Sequence, residues 1–488
     1  MAANSNGNSN GTNGSTPSTI PLIIDNKPVS TTETFAVYAP ATGALLHHCA
    51  SASISDADAA AESAQRAYPA WRKSSPSLRR DIFLKAASLF DERKEELISH
   101  MQMETGASKG WAEFNLTTSA EFLRDVAGRI TSLRGYVPTT ADEGTGAMVL
   151  MEPYGVILAI APWNAPFILG VRSILYPIAA GNTAILKAPE MSPLVSHDIV
   201  TIFHDAGLPA GVLNLLAHQP SSAAAVTKRL IENRHIKKIN FTGSTMVGRI
   251  IAETAGRHLK PVVLELGGKA PAIVLDDADL PAAAMECVVG AFFHSGQICM
   301  STERVLVHEA VADAFEAEFK KALSQFSPDH EDPPVLINAA GVAKNKRLLK
   351  DAVSKGASII AGSIEATEHR ETMMRPVIVK GVRKDMDLYY NESFGPTVSM
   401  IVVKSDQEAI DIANDTEYGL TSSIFTKDLA RGLRLSDSIE SGAVHINHMT
   451  VHDEPSLPHG GMKASGYGRF GASGLEEWVR TKTVTFKR

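Results

Sequence analysis

The chain has 488 residues, 44% of them apolar and 21% charged, with a net charge of −7. That length exceeds what one hydrophobic core normally fills, so two or more domains are expected. The acidic balance speaks against a nucleic-acid footprint or a polybasic membrane patch. The longest apolar run, Met148 to Val171, is broken by Glu152, prolines and Asn164, so a membrane span is not expected.

The first twenty residues are rich in Asn, Ser, Gly and Thr, with no basic cluster and no apolar core. They read as a disordered tail rather than a signal or transit peptide. Three cysteines, Cys49, Cys287 and Cys299, show no C-x-x-C or Cys/His spacing. Neither a disulfide framework nor a metal site is expected, and a reducing, cytoplasmic location is the simplest home.

From Pro21 to Ala50 short strands alternate with turns. Helical periodicity follows, with Ser55 or Asp56 as N-cap and one long helical stretch from Leu78 that stops at Gly106. A further helix covers Lys109 to Leu133. The segment 136–152 reads as an extended, weakly charged excursion. From Tyr154 strands and helices alternate: YGVILAIAP, NTAILKA, GVLNLLA, KKINFTG and PVVLEL are strands with helices between them. This is the pattern of a parallel sheet covered on both faces, which carries ligands at the C-terminal ends of its strands. A second alternation of the same kind follows Gly267. WVRTKTVTF, near the C-terminus, reads as a strand with no obvious partner. The fold class is therefore α/β.

Several strand ends carry chemistry. PWNAPF (Pro162 to Phe167) opens a helix, and the amide of Asn164 suits either an oxyanion hole or a helix cap. In LKAPE, Lys187 and Glu190 suit the hydroxyls of a ribose, or form a solvated pair. In FTGST, Gly243 leaves room for a pyrophosphate and Ser244 can bond it at a helix N-terminus; a plain capped turn reads equally well. In LELGGKAP, Glu265 ends an apolar strand, where a raised pKa would suit a general base; capping a loop is the alternative. Cys299, in GQICMSTERV, stands where a buried helix gives way to a strand; it is either a presented thiol or a core cysteine. NESFGP and the Gly-rich HDEPSLPHGGMKASGYGRFG read alone as turn and loop.

Taken in order, these motifs resemble the NAD(P)-dependent aldehyde dehydrogenases from about Pro21 to Phe486. The resemblance implies a Rossmann-type cofactor domain over 21–135 and 153–264, a catalytic α/β domain over 265–465, and an oligomerisation element from 136–152 with 466–488. It implies Cys299 as nucleophile, Asn164 as oxyanion donor and Glu265 as the base that activates water against the thioester. Lys187 and Glu190 are implied as adenosine-ribose ligands, Ser244 with Gly243 at the pyrophosphate, and Glu392 at the nicotinamide ribose. Phe394 is implied beside the nicotinamide, with Pro162, Trp163 and Leu266 completing the cofactor site. Glu190 favours NAD over NADP, because a carboxylate repels the extra phosphate.

HDEP and the Gly-rich stretch resemble the salicylaldehyde, benzaldehyde and vanillin dehydrogenase branch. Arg172, two helical turns after Asn164, would then face an aromatic aldehyde, unless it serves an ordinary salt bridge. Phe293 and His459 are the other residues of that pocket. His459 departs from the family's usual PFGG. The implied partners are a small aldehyde and further copies of the chain, as homodimer or homotetramer. The alternatives are a CoA-acylating or aliphatic (semialdehyde) dehydrogenase and a non-catalytic dinucleotide-binding scaffold; Glu265 counts against acylation, because that chemistry must exclude water.

Overall fold

The computed structural model describes residues 18–327, 332–365, 368–471 and 474–488. Most of the expected tail lies outside the described residues. Its end does not behave as a tail: Thr19 and Ile20 pair in parallel with His48 and Cys49.

Two sheets organise the chain. The first has five parallel strands in the spatial order Leu213–Leu216, Thr183–Lys187, Val156–Ile160, Ile236–Thr242, Val262–Glu265. Every residue of Val156–Ile160 is buried, as befits a central strand covered by helices on both faces. Chain order reverses between Val156–Ile160 and Ile236–Thr242, so connections leave to opposite sides and a crevice opens at the strands' C-terminal ends. The second sheet runs Val377–Lys380, Thr397–Val403, Thr302–His308, Ala270–Val274, Thr421–Phe425, Ala443–Ile446 in parallel, with Ser358–Ala361 antiparallel at its edge. Alternate residues of its central strands feed two cores: Ile273 and Leu306 one, Val274 and Val305 the other.

Several expectations shift. The helical stretch after Leu78 breaks at Arg93 into Pro76–Glu92 and Lys94–Thr105. Ser53, not Ser55 or Asp56, caps the helix Ile54–Trp71, because Ser53 and Asp56 satisfy each other's backbone N–H in a capping box. Gly106 does end its helix, in a left-handed conformation at φ 68°. The terminal strand finds a partner: Val479–Lys487 pairs antiparallel with Thr145–Pro153, from Val479↔Pro153 to Lys487↔Thr145. Gly466 and Tyr467, assigned by sequence to the same element, instead add an antiparallel edge strand to the first sheet beside Leu264 and Glu265. The ribbon is tied down by Lys238, whose ammonium lies 5.0 Å from the Tyr154 ring and 4.9 Å from the Trp478 ring.

One buried contact joins the N-terminal helices to the first sheet's cover. Glu104 is fully buried at the end of Lys94–Thr105 and accepts from the backbone N–H of Leu194 (2.9 Å) and Val195 (3.0 Å). These are free donors at the start of the helix Pro193–Asp205, and the carboxylate supplies the cap that Ser192 does not. His47 Nε2 pairs with the same carboxylate at 2.7 Å. Glu104→Ala leaves those donors unpaired in the interior, and is expected to cost about 3 kcal/mol in urea unfolding; an unchanged midpoint would show that the cap carries no stability.

Candidate active site

The C-terminal edge of the first sheet abuts the N-terminal edge of the second. From the first come the residues after Ile160, Thr242 and Glu265; from the second, those before Ala270, Thr302 and Thr397. A cavity of about 270 Å³ lies between them. Its wall brings together Pro162, Trp163, Asn164, Gly243, Ser244, Glu265, Leu266, Cys299, Glu392 and Phe394, all singled out from sequence. Leu169, Thr242, Gly267 and Lys344 complete it.

Asn164 is held from two sides. Its carbonyl accepts from Trp111 Nε1 at 2.9 Å, and its Nδ2 donates to the Gln297 carbonyl at 2.9 Å. An amide nitrogen carries two hydrogens, so one donor remains. The capping alternative falls away, since Ala165 occupies the N-cap position of Pro166–Ala179. Ser244 does cap Thr245–Arg257, accepting from Val247 N at 3.4 Å, and its hydroxyl hydrogen is left to donate.

Cys299 follows a left-handed turn: φ is 47° at His294, 59° at Ser295 and 70° at Gly296. Such backbone is costly and persists only where its surroundings hold it. Ser295 Oγ donates to the Val335 carbonyl at 2.9 Å, and Gln297 Oε1 accepts from Ile337 N at 2.9 Å. A Cβ on Gly296 would stand 2.2 Å from the Gly395 carbonyl oxygen. Cys299 is half-buried; burial pushes its thiol pKa up and Glu265 adds to that, so the sulfur rests protonated.

Glu392 and Phe394 sit on a turn built around Glu303, which pairs with Lys269 Nζ at 2.6 Å. Glu303 Oε1 accepts from Ser393 N (2.7 Å), Ser393 Oγ (2.8 Å) and Phe394 N (3.1 Å). Glu392 accepts from Gly268 N at 2.8 Å, and burial pushes its carboxyl up to about 7.

Glu265 departs from expectation. Burial opposes its ionisation, but Arg172 and then His459 overcome that and hold the carboxyl down at about 2, not raised. Arg172 Nη2 donates to Glu265 Oε2, and its Nη1 donates to Asp453 Oδ2 at 2.5 Å. Its guanidinium lies 4.8 Å from the Phe470 ring. Arg172, expected to face a substrate, is 2% exposed and committed to these partners. His459, expected in the aldehyde pocket, is buried behind the wall with Nε2 at 2.9 Å from Glu265 Oε1. Phe293 also lies off this wall, edge-on to Trp111 at 5.0 Å.

Lys187 ends the neighbouring strand and Glu190 lies three residues beyond it, and neither is part of the wall; burial pulls the Lys187 ammonium pKa down. Sequence reasoning passed over Lys344, Glu303, Gln297 and Asp453 as site residues. Asp453 stood inside a motif already quoted, HDEP; Lys344, on the helix Ala339–Ser354, offered no local signal.

The sequence profile of the aldehyde dehydrogenase family matches residues 28–484. The chain belongs to the aldehyde dehydrogenase family. It is 44% identical over 477 residues to the vanillin dehydrogenase of Pseudomonas sp. (strain HR199), covering 96% of this chain and 98% of that one. It is 40% identical over 477 residues to the salicylaldehyde dehydrogenase of Pseudomonas putida, with 96% and 98% covered. The crystal structure of a salicylaldehyde dehydrogenase from Pseudomonas putida G7 complexed with salicylaldehyde superposes with a TM-score of 0.92 at 40% identity, covering 97% of this chain and 98% of that one.

In this aldehyde dehydrogenase the glycine pair after Leu266 is a steric requirement. A Cβ on Gly268 would stand 2.2 Å from the Cys299 carbonyl oxygen. Gly268→Ala must displace the cysteine loop, and is expected to lower kcat for NADH formation ~100-fold, because small displacements of reacting groups are costly. A kcat within about twofold of wild type would show that the loop tolerates the shift.

Proposed function

We propose that this chain oxidises an aldehyde, aromatic in class, to its carboxylic acid with NAD as hydride acceptor. One observation carries the reading: Cys299, Asn164 and Glu265 share the wall of a single cavity. The names of the relatives, vanillin and salicylaldehyde dehydrogenases, favour an aromatic substrate.

The residues present fit a dinucleotide. Gly267 leaves room that a Cβ would close, 2.9 Å from the Glu392 carboxylate. Ser244 and the free N–H groups of its helix would hold the pyrophosphate, and Lys187 with Glu190 the adenosine ribose. Glu392 would take the second ribose, with Phe394, Pro162, Trp163 and Leu266 packing around the ring. The first sheet then serves as cofactor domain (21–135 and 153–264) and the second as catalytic domain (265–465). When bound, the nicotinamide accepts a hydride from the substrate carbon.

The protein's own groups do the rest. Cys299 gives its proton to solvent water, and the thiolate Sγ adds to the carbonyl carbon as the C=O π pair moves onto the oxygen. The free amide hydrogen of Asn164 and the backbone N–H of Cys299 hold the oxyanion. Loss of hydride leaves a thioester, a better electrophile for water than the acid it becomes. Glu265 takes the proton of that water. The same carboxylate disfavours a CoA-acylating reading.

We further infer a homo-oligomer and a cytoplasmic home. The ribbon of Val479–Lys487 and Thr145–Pro153 has largely exposed residues on its terminal strand, an edge suited to pairing between copies. Cys49, Cys287 and Cys299 are all free, which suits a reducing compartment.

Two measurements check this. Cys299→Ala is expected to lower NADH formation from an aromatic aldehyde by more than ~1000-fold while NADH still binds; retained turnover would remove the nucleophile. Glu190→Gln is expected to raise kcat/KM with NADP relative to NAD about tenfold, by removing a charge repulsion worth about 1.4 kcal/mol. An unchanged ratio would take Glu190 out of cofactor selection.

A further inference from the structure

Both oxygens of Glu265 are occupied by basic partners. Oε2 accepts from Arg172 Nη2, and Oε1 lies 2.9 Å from His459 Nε2. The set closes through Asp453, whose Oδ2 accepts from Arg172 Nη1 at 2.5 Å and whose Oδ1 lies 3.8 Å from His459 Nδ1. The four side chains are nearly inaccessible, at 2% for Arg172 and Glu265, 7% for His459 and 8% for Asp453. The His459 ring is not free to drift. Its backbone exchanges hydrogen bonds with Phe470 (His459 N to O at 3.1 Å, Phe470 N to His459 O at 2.8 Å), and the Phe470 ring supports Arg172.

A carboxylate bonded at both oxygens by cations is a poor acceptor for a proton from water. One of the two holds must weaken before Glu265 can act. Arg172 keeps its charge at any working pH and is anchored again by Asp453. His459 is the partner whose charge can be lost near neutrality. We propose that His459 is a positioning residue for the hydrolytic step: as imidazolium it clamps Glu265, and as neutral imidazole with its proton turned toward Asp453 it lets Glu265 accept a proton from water. This rests on the reading of Glu265 as the hydrolytic base.

The groups facing His459 set the direction. Burial works against the imidazolium, but Asp453 and Glu265 more than offset it and raise its pKa, while Arg172 opposes them. His445, on the strand Ala443–Ile446, is a further titratable neighbour; burial lowers its pKa to about 4, so it stays neutral through the working range. Both carboxylates thus favour the clamped, protonated form, and that form is lost as pH rises. In the step released, an O–H bond of water breaks to Glu265 and its oxygen bonds the acyl carbon. The C–S bond then breaks, with its electron pair returning to Cys299.

The test follows the acyl-enzyme directly. Enzyme turning over an aromatic aldehyde with NAD is acid-quenched at intervals, and loss of the acyl group is read as intact mass from about pH 6 to about pH 9. Wild-type decay is expected to climb ~tenfold through one ionisation. His459→Phe is expected to decay at the wild-type alkaline rate throughout, within about twofold, with the aldehyde KM changed less than about twofold. His459→Gln, which keeps polarity without charge, is expected to be equally flat. A wild-type climb retained in both variants would overturn the proposal. Glu265→Gln separates the two readings. Rapid acyl loss in that variant would remove Glu265 as the base, and this proposal with it; persistence of its acyl group alongside an unaltered climb in the His459 variants would remove only the clamp.

Discussion

The hydrogen bond from Asn164 Nδ2 to the Gln297 carbonyl is the contact on which the site depends. Asn164 follows a strand of the first sheet; Gln297 lies two residues before Cys299, on the approach to a strand of the second. The bond links one sheet's C-terminal edge to the other's N-terminal edge. Around it the chain spends unfavourable geometry: a left-handed turn at His294 to Gly296, and glycines with no space for a Cβ at Gly268 and Gly296. Interiors are too closely packed to absorb such features one at a time. The sulfur, the oxyanion donor and the carboxylate are therefore placed together or not at all.

Burial then sets the chemistry. In a low-dielectric wall a lone thiol stays protonated and a lone carboxylate resists ionising. Cys299 and Glu392 follow that rule, whereas Glu265 is driven the other way by Arg172 and His459. The three groups of one cavity are thus pushed in different directions, Cys299 and Glu392 toward the protonated form and Glu265 toward the ionised one. A resting site of this kind combines a neutral nucleophile with a restrained base, so its reactivity must be released rather than standing open.

Much of this was legible in the sequence, for a physical reason. Residues that end a parallel strand or begin the next helix are read locally, from a run of buried apolar residues followed by Gly, Pro, Asn or Ser. That is how Asn164, Gly243, Ser244 and Glu265 were found, and the structure places all four on one cavity wall. Contacts between remote segments were not legible. Nothing near Glu265 announces Arg172, Asp453 or His459, which arrive from a helix and a distant loop, so its carboxyl was expected to be raised when it is lowered. The same holds for Glu104 as the cap of Pro193–Asp205, whereas the segments that pair as Val479–Lys487 and Thr145–Pro153 were grouped by the family resemblance and not by any local pattern. Arg172 shows the limit most clearly: its helical spacing from Asn164 is right, yet its charge is consumed by carboxylates that the spacing cannot reveal.

Catalysis by this route requires a covalent acyl group at Cys299. A crystal structure of the Glu265→Gln variant, soaked with NAD and an aromatic aldehyde, tests this most directly. Continuous density is expected from Cys299 Sγ to an acyl carbon, with the acyl oxygen within hydrogen-bonding distance of Asn164 Nδ2 and the Cys299 backbone N–H. Density for an acyl group on another residue, or an acyl oxygen turned away from Asn164, would contradict it.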